Sequence, residues 1–353
     1  SKYKTINNII IAIPSISSEK LNNLLKKLSP ISLNVSYFDL DFFGEKNYLS
    51  LPDLSDKLIS DIFKRKTKTH YKFIKKIYNK TILITGAGGS IGSELVKQSL
   101  ICGAKVIGLD HSELGLYNLE NELKTHFEKN KFKLVLGSIN DRQKLEKLRK
   151  DYNIEVVFHA AAYKHVNILE KNVSLAIKNN LFGTKNILEI FNDKKIEIVI
   201  ISTDKAARPK SILGATKRLA EIVSQNYSIS NKFRSKIKIV RFGNVFGSQG
   251  SAIELFIHQL NKNLPITITN LKAKRFFMSI REACNLVLNV TELNGSDMIY
   301  ILNMGKQILV KDIIYKLAEI KNINTKNIIL KEIGLKKGEK LSEELSINKK
   351  FKK

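Results

Sequence analysis

Short apolar runs alternate with helical patterns from residue 80 onwards. Runs rich in Ile, Val, Leu and Phe occupy residues 81–85, 104–109, 132–136, 155–160, 196–202 and 237–242. The segments between them place apolar residues three or four positions apart, which is typical of helices. Six strands that alternate with helices predict an α/β fold, a parallel, doubly wound sheet covered on both faces. In such a sheet, ligands bind beyond the carboxyl ends of the strands.

The pattern is less regular at both ends of the chain. Residues 8–13 and 31–38 are predicted strands, residues 17–28 a helix and residues 63–78 a basic helical linker. This unit is too small to bury its own faces, so residues 1–79 are predicted to be a short α/β segment of a longer N-terminal region. After the main domain at 80–250, we expect a smaller substrate lobe at 251–353 that is interleaved with it. Its predicted elements are helices at 252–260, 280–293 and 310–320 and strands at 266–269 and 298–303.

A glycine-rich loop joins the first strand of the main domain to its helix. Gly86 permits the tight turn, Gly89 lets the backbone approach a pyrophosphate, and Gly92 lets the helix pack on the sheet. Ser90 and Ile91 begin that helix, where free N–H groups and the helix dipole favour anions. The loop therefore predicts a Rossmann-type dinucleotide site.

Polar residues at the next strand ends extend this site. Asp110 is expected to accept hydrogen bonds from the adenosine ribose, which favours NAD over NADP, although Asp110 could instead cap the next helix. Asp141 either holds the adenine or caps its own helix, and Ser138 precedes it. The remaining predicted cofactor contacts follow the fourth strand, at Ala160, Ala161 and Ala162.

Composition narrows the range of partners. Hydrophobic residues make up 43% of the chain, and no apolar run reaches the length of a membrane helix, so we expect a cytoplasmic location. Cys102 and Cys284 are far apart, which predicts reduced thiols and no metal site. The net charge of +27 admits anionic partners, but the lysines are spread along the whole chain. Without an Arg-rich run or basic–aromatic interleaving, nucleic acid is not an expected partner.

Several motifs carry a family resemblance. They are VFHAAAYKHV at 157–166, ISTDKA at 201–206, GATKR at 214–218, VRFGNVFGS at 240–248, RFFM at 275–278 and GEKLSEE at 338–344. In this order the chain resembles the bacterial CapD-like polysaccharide-biosynthesis enzymes, which are nucleotide-sugar 4,6-dehydratases of the extended short-chain dehydrogenase/reductase superfamily. The resemblance runs from about residue 80 to 346 and favours UDP-N-acetylglucosamine as the substrate.

The resemblance implies a catalytic group directly after the fifth strand. In this family C4 of the sugar is oxidised, water leaves across C5 and C6, and the hydride returns to C6. Asp204 then corresponds to the acid for water loss, Lys205 to the C5 base and Thr203 to the residue that binds the C4 oxygen. Since Asp204 must hold a proton and Lys205 must lose one, we expect the site to be partly dry.

The helix that follows departs from the superfamily pattern Tyr-x-x-x-Lys. Counting back from Lys217, the position of the tyrosine holds Leu213, which cannot move a proton. Lys217 is still expected to bind the nicotinamide ribose. An NAD-dependent epimerase would require the tyrosine that Leu213 replaces. A non-catalytic NAD-binding sensor would not need Asp204 and Lys205. These two alternatives stay open. The identity of the group that deprotonates the C4 hydroxyl also stays open. The resemblance favours retention of configuration at C5.

Further residues are placed in the substrate pocket. They are Lys164, His165, Asn180, Asn244, Arg275 and Glu343. An arginine suits a diphosphate, and a carboxylate at Glu343 suits ribose hydroxyls. The resemblance also implies a homo-oligomer and a parent protein with a membrane anchor.

Overall fold

The structure is a computed structural model that describes three N-terminal strands and residues 74–295, 299–320 and 323–346. The N-terminal strands are β1 (Asn8–Ile11), β2 (Asn34–Phe38) and β3 (Tyr48–Leu49). β1 pairs with β2 in parallel, and β2 pairs with β3 antiparallel. The helix predicted at 17–28 lies outside the described residues. The predicted linker is described only from residue 74, where a 3-10 helix, Lys75–Ile77, stands in place of an α-helical turn.

The remaining elements follow in chain order. The strands are β4 (Thr81–Thr85), β5 (Lys105–Asp110), β6 (Phe132–Leu136), β7 (Val156–His159), β8 (Glu197–Thr203), β9 (Lys236–Phe242), β10 (Asn244–Phe246), β11 (Ile266–Ile268), β12 (Lys274–Arg275), β13 (Phe277–Ser279), β14 (Ile299–Ile301), β15 (Ile308–Leu309) and β16 (Leu330–Glu332). The α-helices are α1 (Ser90–Ile101), α2 (Glu113–Lys124), α3 (Arg142–Asp151), α4 (Val166–Leu169), α5 (Val173–Ala176), α6 (Gly183–Ile190), α7 (Ile212–Ser228), α8 (Ala252–Asn261), α9 (Ile280–Asn289) and α10 (Val310–Ile320). A π-helix, Ile177–Phe182, connects α5 to α6.

Seven strands form the main sheet, in the order β6-β5-β4-β7-β8-β9-β14. All neighbouring pairs are parallel, which confirms the predicted Rossmann-type sheet. The chain order reverses between β4 and β7. A crevice therefore opens at the carboxyl ends of these two strands, where doubly wound sheets bind their ligands.

Alternate residues of the strands pack on opposite faces of this sheet, as the pleat requires. On one face, Ile82 and Ile84 belong to a cluster with buried residues of α1, α2 and α9. On the other face, Leu83 belongs to a cluster with buried residues of α3 and α6. Because both faces are covered by helices, most strand positions are apolar, although β9 also carries the buried Lys238 and Arg241.

The strand predicted at 298–303 was assigned to the smaller lobe, and this assignment is wrong. Within it, Ile299–Ile301 pairs in parallel with Ile239–Arg241 of β9 and becomes the seventh strand of the main sheet. The preceding helix α9 also packs on α1. The chain thus leaves the sheet after β9, builds part of the lobe, and returns before completing it.

The smaller lobe has its own core. Buried apolar residues of α8, β11, β13 and α10 pack together in it, and the short pairs β10–β13, β11–β16 and β12–β15 connect its elements. Within the described residues, no helix has both the length and the apolar character of a membrane span. The lobe closes one side of the crevice above the sheet, so the site lies between the two parts.

Candidate active site

A cavity of about 1100 Å³ occupies the crevice. Its walls include many of the predicted site residues: Gly86, Gly89, Ser90, Ile91, Gly92, Ala160, Ala162, Lys164, His165, Thr203, Lys205, Lys217, Asn244, Arg275 and Glu343. The predicted residues outside the lining are Asp110, Ser138, Asp141, Ala161, Asn180 and Asp204. The structure therefore brings the predicted cofactor loop, catalytic segment and substrate residues to one site.

The glycine loop is held by close backbone packing. Gly86 has φ +72°, and a Cβ there would lie 2.7 Å from the nitrogen of Ala161. A Cβ on Gly92 would lie 1.9 Å from the carbonyl oxygen of Gly86. Helix α1 begins right after Gly89, so its free N–H groups point into the cavity beside the loop. This cradle has the shape and polarity that a pyrophosphate requires.

Asp110 secures this cradle from the neighbouring strand. The carboxylate is buried and accepts hydrogen bonds from the backbone N–H of Gly88 (2.9 Å) and of Ser112 (2.8 Å). Each carboxylate oxygen has a second lone pair, so Asp110 could also accept a hydrogen bond from a ribose hydroxyl. That bond stays a prediction. The helix cap at α2 comes from the Ser112 side chain, which accepts from Gly115.

The other predicted adenosine residues have local roles in the structure. Asp141 caps α3 by accepting from the backbone N–H of Lys144 at 3.0 Å, the second of its two sequence interpretations. Ser138 accepts from the backbone of Asn140. Neither side chain lines the cavity, and a contact of Asp141 with the adenine stays a prediction.

The alanine segment after β7 lies against the glycine loop. The N–H groups of Ala160 and Ala161 donate to the backbone oxygen and the side-chain hydroxyl of Thr85. Behind this segment, His159 is fully buried between the hydroxyls of Thr85 (2.8 Å) and Thr184 (2.9 Å). Burial, and then the charge of Lys217, lower the pKa of His159 to about 3.

This buried histidine makes stability depend on pH. Above pH 6.5, His159 is neutral in both the folded and the unfolded chain; below it, only the unfolded chain takes up the proton readily. We expect the His159 contribution to fall by about 2 kcal/mol between about pH 7 and pH 5. Urea unfolding at both pH values measures this loss. His159→Gln should remove this loss of unfolding free energy, whereas His126→Gln, at an exposed histidine, should retain it. The same loss between about pH 7 and pH 5 in the wild type and both variants would contradict the prediction.

The catalytic segment begins at the end of β8. The Thr203 hydroxyl caps the 3-10 helix Asp204–Ala206 and donates to Asp204 Oδ1 at 2.9 Å. Lys205 Nζ donates to the same oxygen at 3.1 Å and to Asn244 Oδ1 at 3.4 Å. Asp204 is fully buried, whereas Thr203 and Lys205 line the cavity. The predicted trio is thus in contact, with Asp204 behind the other two.

Helix α7 places a buried lysine beside this group. Burial lowers the pKa of Lys217 to about 8, and Glu221 one turn later opposes the shift. Four residues before Lys217, Leu213 lines the cavity and packs on Leu169 and Ala176. The position at which the superfamily has tyrosine therefore presents only an apolar surface.

The predicted substrate residues after β7 take two different positions. Lys164 Nζ donates to the carbonyl oxygen of Gln249, whose own N–H donates to the Ser90 hydroxyl. Burial lowers the pKa of Lys164, and burial together with Lys164 lowers that of His165. Asn180 is buried in the π-helix and exchanges two hydrogen bonds with the backbone of Tyr163. Asn180 therefore holds the loop and does not line the cavity.

Two predicted residues from the smaller lobe reach the cavity. Arg275 donates from one guanidinium nitrogen to the backbone oxygens of Lys274 and Leu341. Glu343 is 3% exposed and lies 3.8 Å from Lys205 Nζ. Glu343 thus contacts the catalytic segment, which the sequence did not indicate.

Some residues that shape the site were missed in the sequence. A Cβ on Gly214 would lie 2.5 Å from the carbonyl oxygen of Lys205, so a glycine lets α7 approach the catalytic segment. Glu221 is buried and accepts hydrogen bonds from Ser202, Arg218 and Arg241. The motifs GATKR and VRFGNVFGS contain Gly214 and Arg241, but spacing alone does not reveal these contacts.

Comparisons with known proteins agree with this architecture. The family model described as "Polysaccharide biosynthesis protein" matches residues 82–353. The chain is 37% identical over 348 residues to the probable polysaccharide biosynthesis protein EpsC of Bacillus subtilis, covering 96% of this chain and 57% of that protein. The chain therefore spans little more than half the length of this relative.

Two further proteins are similar over the main body of the chain. The UDP-N-acetylglucosamine 4,6-dehydratase (inverting) of Campylobacter jejuni is 32% identical, covering 75% of this chain and 76% of that protein. The solved dTDP-glucose 4,6-dehydratase DesIV of Streptomyces venezuelae, with NAD bound, has the same fold at 22% identity and a TM-score of 0.64, covering 75% and 87%. With a family model that matches most of its length, the chain belongs to the polysaccharide biosynthesis protein family.

Proposed function

We propose that the chain is an NAD-dependent UDP-N-acetylglucosamine 4,6-dehydratase that supplies a UDP-4-keto-6-deoxy sugar for surface glycans. The observation that carries this proposal is the contact group of Thr203, Asp204 and Lys205 at the cavity, beside a position 213 that holds leucine. This group offers a carboxyl and an amine for the elimination of water. The resemblance of the chain to the Campylobacter dehydratase supports the same reaction.

The cavity fits two nucleotides. Its volume of about 1100 Å³ exceeds the roughly 300–1,000 Å³ typical of single-ligand pockets. The glycine cradle, the start of α1 and Lys217 would hold NAD, and the Asp110 carboxylate disfavours the extra phosphate of NADP. When bound, NAD supplies a hydride acceptor that returns the hydride later. Arg275 and Asn244 also line the cavity and suit the diphosphate of the sugar nucleotide.

The chain's own groups have distinct tasks in this proposal. Lys205 lines the cavity and takes the C5 proton. Asp204 is fully buried, so it exchanges protons with substrate oxygens through the Thr203 hydroxyl, to which it is hydrogen-bonded at 2.9 Å. The relay keeps for Asp204 the role of acid for water loss that the resemblance implies. Leu213 excludes water from the same wall and leaves Thr203 as the nearest hydroxyl for the C4 position.

One incubation separates the proposal from its alternatives. The chain is mixed with NAD and UDP-N-acetylglucosamine, and the products are followed by NMR. A 4-keto-6-deoxy sugar supports dehydration, and its C5 configuration shows whether the reaction retains or inverts C5. An epimer formed without loss of water would establish the epimerase instead. NAD binding without any turnover would favour the sensor.

The homo-oligomer is also part of the proposal. Phe182 on the π-helix and Leu219 and Ile222 on α7 are exposed apolar side chains on neighbouring helices. A second copy packed on this surface would cover them. Sedimentation of the purified chain tests the pairing. The cytoplasmic location and the membrane anchor of a longer parent chain stay predictions.

A further inference from the structure

Lys205 lies within a cluster of four charged side chains, of which Asp204 and Glu343 are buried. Its ammonium is 3.1 Å from Asp204 Oδ1 and 3.8 Å from Glu343 Oε1. The second oxygen of Glu343 lies 3.4 Å from Nζ of Lys340, which is 10% exposed. The cluster joins the catalytic segment to a C-terminal segment of the lobe that is more than 130 residues away in sequence.

We propose that Glu343 and Lys340 are positioning residues for Lys205, and that they set in opposite directions how readily Lys205 loses its proton. The inference rests on the proposed role of Lys205 as the C5 base. It replaces the prediction that Glu343 binds ribose hydroxyls, because both oxygens of Glu343 face ammonium groups. It also assigns a role to Lys340, which lies in the motif at 338–344 but had no predicted function.

The burial of the cluster is what gives these charges their strength. The Glu343 carboxylate is 3% exposed and Asp204 is fully buried. Glu343 Oε2 and Lys340 Nζ have no hydrogen-bond partner among the described residues. Two charges that are buried and not otherwise bonded interact mainly with each other and with the next charge. A change at Lys340 is therefore transmitted through Glu343 to Lys205.

The balance of charge in the cluster suits a base. The cluster combines the two carboxyl groups of Asp204 and Glu343 with the two amino groups of Lys205 and Lys340. Without Lys340, two carboxylates would face Lys205 alone and would hold its proton firmly. Lys340 neutralises one of them and makes it easier for Lys205 to become neutral. Without Glu343, the ammonium would lose one anchor and one stabilising charge.

No other charged group contacts Lys205 in the described part of the chain. The remaining titratable side chains on the cavity wall are Tyr163, Lys164, His165, Lys217, Arg275, Lys336 and Glu339. Lys217 on α7 is the buried cation of the neighbouring helix, and Asn244 on β10 offers only a neutral amide. The charged groups that face Lys205 are therefore Asp204 and Glu343, with Lys340 behind Glu343.

The pH profile of C5 proton exchange tests this inference. Exchange of the C5 proton of UDP-N-acetylglucosamine with D₂O is measured from pH 5 to 10 in the NAD-loaded protein. Glu343→Gln removes an anion, so the pH of half-maximal exchange should fall by about one unit. Lys340→Gln removes a cation, so the same midpoint should rise by about one unit.

Glu344→Gln is the matched control. Glu344 is the next residue, but it is 45% exposed and pairs with Arg208 at the surface. The pH of half-maximal exchange in Glu344→Gln should therefore equal the wild-type value. NAD content and melting temperature identify variants that have lost their fold. Midpoints that do not move, or that move in the same direction in both variants, would overturn the inference. If the wild type shows no C5 exchange, the proposed function fails, and this inference with it.

Discussion

Replacing Lys205 by alanine is expected to lower the rate of C5 proton exchange by about a thousandfold or more. Lys205 presents the only amine in the catalytic trio, and its Nζ is held at 3.1 Å from Asp204 and 3.4 Å from Asn244. Alanine leaves no group there to take the C5 proton. The measurement is NMR detection of deuterium at C5 of UDP-N-acetylglucosamine in D₂O, with NAD bound.

The same variant should keep its cofactor. Among the described residues, the Lys205 ammonium contacts Asp204, Asn244 and Glu343 and not the glycine cradle, so NAD content after purification should equal that of the wild type. Lys210→Ala is the control, because Lys210 is an exposed lysine in the loop that follows; its exchange rate should be unchanged. Wild-type exchange in Lys205→Ala would remove this residue as the base and would point to another group on the cavity wall.

The sequence predicted the sheet well because burial on both faces makes the strands rich in apolar residues. Strands β4 and β6 have the predicted bounds, β9 differs by one residue at one end, and β5, β7 and β8 differ by one residue at each end. The seventh strand was misplaced for a physical reason. Residues 299–301 are as apolar as any lobe strand. A pattern of three residues does not indicate which strand they pair with, and in the structure that strand is β9.

The site was predictable where function depends on backbone shape and less so where it depends on long-range contacts. Gly86 and Gly92 are recognisable because no other residue fits at those positions. Asp110 was placed correctly at the strand end, but its bond to Gly88 depends on how two loops meet. Glu343 reaches Lys205 only because the C-terminal segment folds back over the cavity. From the sequence alone, a hydrogen bond between the Glu343 carboxylate and a ribose hydroxyl was as reasonable as a contact with Lys205.

Replacing Gly92 by alanine should weaken NAD binding by about a hundredfold, which corresponds to about 3 kcal/mol of overpacking. The new Cβ would lie 1.9 Å from the carbonyl oxygen of Gly86 and 2.9 Å from Cα of Ala87. These are backbone atoms, so no side-chain rotation relieves the clash. Gly86 cannot retreat either, since Ala161 lies directly behind it. The loop must therefore move away from α1, and the cradle for the pyrophosphate opens.

Calorimetric titration of NAD into cofactor-free protein measures this loss. Ser93→Ala is the control, because it changes the next residue of the same helix, whose hydroxyl makes a single long bond of 3.4 Å to Ser90; its NAD affinity should match the wild type. Since turnover needs the cofactor, Gly92→Ala should also lose C5 exchange, unlike Lys205→Ala, which loses exchange with NAD still bound. NAD affinity within threefold of wild type in Gly92→Ala would show that the loop yields without cost, and the packing of α1 on Gly86 would then not be what shapes the cradle.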